Sequence, residues 1–281
     1  MNKFYIQIVL FLLSISVYVN NKSLAAEPNP GNDTSLRSIP DKDTNSSEEV
    51  SEESKELLYN DHNETEKAAE LMKEAVTQFI YHATTNDGYE LCKEYKSYSM
   101  VLYKKKHQDD TNVQKLEYKL CNSDRYHKII SKLWDSDRVN SFDIGFIHKK
   151  VVRTYNPNLV MIQQRYKTKP RSRQKYFYAL ATKVEISEGT TIIAMVSVDI
   201  IDKNASDKEY KNTIVESANL FKTDITPEDD IKKGKLDKAF LNIGGYLIEK
   251  KDKCINMTYL ESMDEEDSIY HVYKNELSSI I

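Results

Sequence analysis

The chain has 281 residues, 30% of them charged, a formal net charge of −4 and a mean hydropathy of −0.63. That balance gives no whole-chain reason to expect a nucleic-acid partner, and Gly (7) and Pro (6) are too scarce for a collagenous or Gly-rich disordered protein. The length fits one or two domains. Tyr is abundant at 19. Such rings suit an apolar wall whose hydroxyls reach a polar partner, and equally reflect ordinary strand preference.

Residues 1–25 read as a targeting segment. Lys3 supplies a positive start, and Ile6 to Val19 is apolar apart from Gln7, Ser14 and Ser16. Ser23-Leu24-Ala25 then offers small residues for cleavage after Ala25. The run falls short of the roughly 20 apolar residues a membrane span needs. Residues 26–60 have no apolar period and carry Pro28, Pro30, Gly31, Pro40 and the acidic run from Glu48 to Glu53. Such composition cannot offset ordering entropy, so a disordered acidic linker is expected there. The third segment, residues 61–281, is expected to fold as one domain.

Ala68, Met72, Ala75 and Phe79 recur at helical spacing, with Asn63 or Thr65 as the cap and an end near Thr85 before Asn86-Asp87-Gly88. Strands are expected over 89–96, 98–106 and 113–121. In the last of these Leu116, Tyr118 and Leu120 alternate with Glu117 and Lys119. Ser123 is the expected cap of a second helix with Tyr126, Ile129, Ile130, Leu133 and Trp134 as its stripe. Trp134 reads as core rather than ligand contact. Further strands are expected over 146–155, 159–166, 175–186 and 191–201, with a turn at Glu188-Gly189. A helix over 211–221, a charged loop, a hairpin of 240–249 with 254–261, and a short helix over 268–281 complete the chain.

A sheet of so many strands must curl, and its concave face needs cover. On the strand 159–166, Leu159, Met161, Gln163 and Arg165 share one face. They read either as a wall for a ligand with polar and apolar ends or as an ordinary solvated surface. Cys92, Cys121 and Cys254 are too few for a disulfide framework. Cys92 and Cys121 flank a strand pair and can either bridge or remain thiols. The five Asn-X-Ser/Thr sequons beyond residue 25, at Asn32, Asn45, Asn63, Asn204 and Asn256, are permitted glycosylation sites only. The chain has no GxSxG, HExxH, Walker or zinc-type Cys/His spacing, so neither enzymatic chemistry, a cofactor nor a metal is expected. The six histidines are scattered and read as surface residues.

Three stretches carry a family resemblance. Leu133-Trp134-Asp135-Ser136-Asp137-Arg138 with Phe142-Asp143 resembles the end of the second helix of START domains. Pro170 through Arg173-Gln174-Lys175-Tyr176-Phe177 resembles the start of their central strand, and Gly245-Tyr246-Leu247-Ile248-Glu249 with Cys254 to Met263-Asp264 their last hairpin. Phe142 and Gln174 stand where those domains favour Trp and Asp, and the tail after Asp264 is short. The signal region Met1-Asn2-Lys3-Phe4-Tyr5, Tyr155-Asn156-Pro157-Asn158-Leu159 through Tyr166, and Arg173 to Tyr178 are similar to the fam-a proteins of malaria parasites. Arg37-Ser38-Ile39-Pro40-Asp41 also fits a relaxed form of the parasite export signal.

The resemblance implies an α+β helix-grip fold, with a curved antiparallel sheet wrapped around helices, an internal cavity and a short C-terminal helix. It implies a secreted monomer, exported through the parasitophorous vacuole to the host red cell, that binds a phospholipid such as phosphatidylcholine and carries it between membranes. On chemical grounds Arg165, with Gln163 beside it, is the expected phosphate contact, because the planar guanidinium can bind two oxygens. Tyr178, Tyr246 and Tyr259 are the expected wall or ammonium contacts, with Tyr176 and Met161 on the same strand faces. Lys167, Lys169, Arg171, Arg173 and Lys175 either touch anionic head groups during transient docking or form a solvated loop. The alternative function is a secreted surface antigen or interaction module on the same scaffold, without transfer.

Overall fold

The computed structural model describes residues 61–96, 99–108, 111–134, 139–140, 147–168, 171–204 and 210–264. The expected targeting segment, the expected acidic linker and the expected C-terminal helix lie outside these residues.

Helix α1 (His62–Thr84) starts earlier than the sequence suggests, because Asp61 is the cap, two residues before Asn63 and four before Thr65. Its carboxylate accepts the Glu64 N–H at 3.1 Å, satisfying a donor the first turn leaves without a helical partner. Ala68, Leu71, Met72, Ala75, Val76, Phe79 and Ala83 form the buried stripe. At the far end Lys115 donates to the Thr85 carbonyl at 2.8 Å and to Asn86 Oδ1 at 3.0 Å. That places a cation where the helix dipole favours one.

Three strands follow as a meander: β1 (Glu90–Tyr95), β2 (Met100–Lys106) and β3 (Asn112–Cys121). The chain leaves β3 through Asn122, at φ 89°, whose side chain accepts the Asp124 N–H and caps a short 3-10 turn over Ser123–Arg125. The cap expected at Ser123 is therefore one residue earlier. Helix α2 (Tyr126–Trp134) buries Tyr126, Ile129 and Leu133. Then come β4 (Val139–Asn140), β5 (Ile147–Asn156), β6 (Leu159–Tyr166), β7 (Lys175–Ser187) and β8 (Thr190–Val196).

The strand expected over 191–201 breaks after Val196. Ser197 explains the break: its N–H donates to the Leu241 carbonyl, its hydroxyl donates to the Tyr178 carbonyl, and its oxygen accepts from the Leu241 N–H. The chain is hooked out of the sheet, and β9 (Asp199–Ile201) pairs in parallel with β10 (Lys222–Asp224) instead. The helix expected over 211–221 is absent, leaving only a 3-10 turn at Glu216–Leu220. Here the Asn212 side chain accepts the backbone N–H groups of Ile214 and Val215, which diverts donors a helix would need. A single turn α3 (Asp229–Lys232), β11 (Asp237–Lys238) and the hairpin β12 (Leu241–Lys250) and β13 (Cys254–Met263) complete the described chain.

The eleven-stranded sheet runs β1-β2-β3-β13-β12-β8-β7-β6-β5-β4, with β11 paired in parallel to the start of β7. Its main ladder is antiparallel, and the C-terminal hairpin sits between β3 and β8. Central β12 contains Gly245 at φ +138°, where a Cβ would fall 1.9 Å from the Ile193 carbonyl oxygen. Only glycine fits that approach.

Register sorts the side chains into two faces. On the first face Ile162 aligns with Ala179, Ile193 with Tyr246, Tyr246 with Tyr259, and Tyr259 with Leu116. On the second, Gln163 aligns with Tyr178, Ala194 with Gly245 and Leu260 with Lys115. Helix α2 covers the first face, joined to it by a 2.8 Å hydrogen bond between the Tyr126 hydroxyl and Thr191 Oγ1. Helix α1 crosses β7, β8, β12 and β13 on the second.

Candidate functional site

The first face is a buried apolar surface. Val160, Ile162, Phe177, Ala179, Ala181, Ile193, Met195, Ile248, Met257 and Ile255 form one buried cluster with Tyr126, Ile129 and Leu133 of α2. Alternation along the strands produces this wall, since most second residues are aliphatic or aromatic. Tyrosines are set into it. Tyr246 and Tyr259 are cross-strand partners whose ring centroids lie 5.2 Å apart. The Tyr259 hydroxyl donates to Glu261, a buried acidic side chain on the same face. Gln164 is buried on that face too, beside Phe177 in register. At the end of α2, Lys149 donates to the Leu133 and Trp134 carbonyls at 3.2 and 3.4 Å. The Nζ of Lys183 lies 5.5 Å from the Trp134 ring centroid.

The second face carries the other expected site residues, so the register divides the expected contacts between the two faces. Arg165, Gln163, Met161, Tyr176 and Tyr178 share this face, opposite Tyr246 and Tyr259. A small ligand on one side cannot touch both groups. Arg165 is already engaged: it donates to Asp230 at 2.6 and 3.0 Å, to Glu228, and through Nε to Gln163 Oε1 at 3.0 Å. Gln163 in turn donates to the Tyr178 hydroxyl at 3.1 Å. Burial works against the Arg165 charge, but the Asp230 hydrogen bond and the Glu228 and Asp230 charges outweigh it and raise its pKa. The Arg165 hydrogen bond holds the Asp230 carboxyl below its usual range. Burial pushes the Tyr178 hydroxyl up to about 12.

Tyr176 is fully buried, 5.8 Å from Tyr178, and donates to Asp202 at 2.7 Å while accepting from Asn204 at 3.0 Å. Lys238 completes this cluster with a 3.1 Å pair to Asp202. Met161 is buried beside Leu180 in register. These contacts tie β6 and β7 to the segment 202–238. Arg173, from the basic stretch, is tied to the same segment through Asp237 at 2.9 Å and the Lys235 carbonyl at 3.0 Å.

Sequence reading missed several interior polar groups. Glu261 lies on an alternating strand, and that period was the available signal. His82 was expected at the surface and is buried against Tyr89, whose hydroxyl lies 3.2 Å from its Nδ1. Burial, with the positive neighbours His107, Lys105 and Lys115, lowers its pKa to about 4. Among the described residues no three His, Cys, Asp or Glu side chains group to hold a metal ion, and no helix is long and apolar enough to cross a membrane.

No family model matches the chain, and no curated protein matches it. Solved structures do. Human StAR-related lipid transfer protein 5 superposes with a TM-score of 0.53 at 10% identity, covering 76% of this chain and 92% of that one. Human STARD10 gives a TM-score of 0.43 at 16% identity, with 71% of each chain covered. The human StarD13 lipid transfer and protein localization domain gives 0.40 at 18%, with 77% and 90% covered. The first of these defines the class of the fold: this is a START-like, helix-grip α+β domain, with its curved antiparallel sheet and few helices.

Proposed function

We propose that the protein binds a lipid against the α2-covered face of the sheet and moves it between membranes. The observation that carries this reading is the composition of that face, a continuous aliphatic and aromatic surface with Tyr246, Tyr259 and Glu261 set into it. An acyl chain leaves a bilayer readily only if apolar surface replaces its surroundings, at about 0.8 kcal/mol per CH₂ otherwise exposed to water. The paired Tyr246 and Tyr259 rings suit a quaternary ammonium, whose charge is drawn to ring faces. This favours a phosphatidylcholine-type phospholipid. In this reading Tyr246 and Tyr259 are the lipid contacts. Arg165, Gln163, Tyr176, Tyr178 and Met161 brace the wall from behind, and no catalytic residue is required.

The resemblance to StAR-related lipid transfer protein 5 supports the carrier reading through its fold. The similarity of the chain's motifs to malaria-parasite fam-a proteins, with its targeting segment and Arg37 to Asp41, supports secretion and export to the host cell by a monomer that meets membranes transiently. Native mass spectrometry of the full chain, with lipid extraction and a liposome-to-liposome transfer assay, tests the function. Co-purified phospholipid and accelerated transfer of labelled phosphatidylcholine are expected. Lipid-free protein with transfer at the background rate would remove the proposal.

A further inference from the structure

We propose that Cys121 and Cys254 form a thiol pair built to close as a cross-strand disulfide between β3 and β13. The two residues are direct partners in the antiparallel register, so their side chains leave the same face. Both are free, with Cys121 exposed and Cys254 half-buried.

Hydrogen bonding fixes which kind of partners they are. The next pair outward, Asn122 and Lys253, is joined by a bond from the Asn122 N–H to the Lys253 carbonyl at 3.0 Å. Bonded and non-bonded pairs alternate along an antiparallel ladder, which makes Cys121 and Cys254 a non-hydrogen-bonded pair. The other side of β13 gives the same answer. The Cys254 carbonyl accepts from the Lys251 N–H at 2.8 Å, so its backbone groups point toward β12 and away from β3. In a non-hydrogen-bonded pair the Cα atoms lie about 4.5 Å apart, within the roughly 4.4–6.8 Å that disulfides span.

Cys92 is excluded by the same topology. It lies on β1, with β2 between it and β3. Two strand spacings of about 4.8 Å put it roughly 9–10 Å from β3, too far for a bridge. The bridge considered between Cys92 and Cys121 is thus replaced by one between Cys121 and Cys254.

Closure needs a disulfide oxidant, of which oxidised glutathione is the simplest. The Cys121 thiolate, the more exposed, attacks one glutathione sulfur and expels one glutathione thiolate. The Cys254 thiolate then attacks the Cys121 sulfur of the mixed disulfide and expels the second. The two cysteines lose two electrons, one glutathione disulfide becomes two glutathione thiols, and the two cysteine protons pass to them. The bridge sits where Asn122 turns the chain toward α2, and Ser123 Oγ already donates to the Asp252 carbonyl across the same gap at 3.1 Å. It would fix the base of α2 to the C-terminal hairpin.

The test uses the folded, reduced full chain incubated with oxidised glutathione, alkylated and mapped by non-reducing tryptic digestion. Expected is a peptide carrying Cys121 linked to one carrying Cys254, with the same link in Cys92→Ser. In Cys121→Ser, Cys254 should instead be alkylated or hold glutathione. Recovery of Cys121 and Cys254 only as separate adducts, or linkage of either to Cys92, would overturn the proposal. So would a Cys121–Cys254 link that forms only in denaturing urea, because the strand register would then play no part.

Discussion

The two faces of the sheet use the same residue types to opposite ends. On the face beneath α1, charged and polar groups are paired within the chain: Arg165 with Asp230 and Glu228, Lys238 with Asp202, and Lys115 with the end of the helix. On the face beneath α2 the setting is apolar, and its tyrosines and Glu261 are spaced along an aliphatic wall. The contrast teaches that an arginine on a strand does not mark a binding wall by its presence. What its neighbours do with its charge decides, since breaking an engaged buried pair leaves an uncompensated charge.

The comparison breaks most sharply at Phe79, the fully buried anchor of α1. Phe79→Ala should cost about 4 kcal/mol in urea unfolding and leave the lipid content of the remaining folded protein unchanged. A loss of lipid without loss of stability would reverse the roles of the two faces. Next in size is a pH effect confined to the α1 side. His82 has a folded pKa of about 4 against an ordinary 6.5, so the unfolded chain takes up the proton first as pH falls. The associated stability is complete above about pH 6.5 and is lost between there and pH 4, by about 3 kcal/mol at most. Urea midpoints measured across that range should show the slope, and His82→Phe should flatten it.

Arg165→Met sharpens the contrast further. It strands Asp230 and Glu228, yet both are partly open to solvent, so a loss of about 2 kcal/mol is expected with lipid transfer retained. If transfer fails while stability holds, Arg165 meets the head group after all. The smallest stability effect belongs to the α2 side. Tyr246→Leu keeps most of the apolar volume and should cost about 1 kcal/mol or less, while reducing phosphatidylcholine transfer severalfold by removing one ring of the pair. Denaturation and liposome transfer on the same preparation separate the two quantities.

Much of the sheet was legible because period-two alternation is local. The Leu116, Tyr118, Leu120 face and the Met161, Gln163, Arg165 face can be read from their own strands. Which of the two faces α2 covers is not written in either strand, because both are buried. Arg165 lies inside only because carboxylates 63 and 65 residues downstream return to it. Residues 211–221 failed for a different reason. Their apolar spacing suits a helix, but the Asn212 side chain captures the N–H groups of the next turn. His82 lies three residues after Phe79 on the helical period that forms the buried stripe, so its burial was legible there, and the Tyr89 hydroxyl before β1 gives its ring a polar partner.

The interleaved strand order has a consequence for how the chain is made. The meander of β1 to β3 leaves the ribosome early, yet its inner neighbour is β13, near the end of the described chain. Until that last hairpin is synthesised, the exposed flank of β3 has no permanent mate, and the two portions of the sheet wait on either side of a gap. Pairing over such a sequence distance is slow and leaves open edges at risk of aggregation. A nascent chain of this design gains from a chaperone until its final strands emerge.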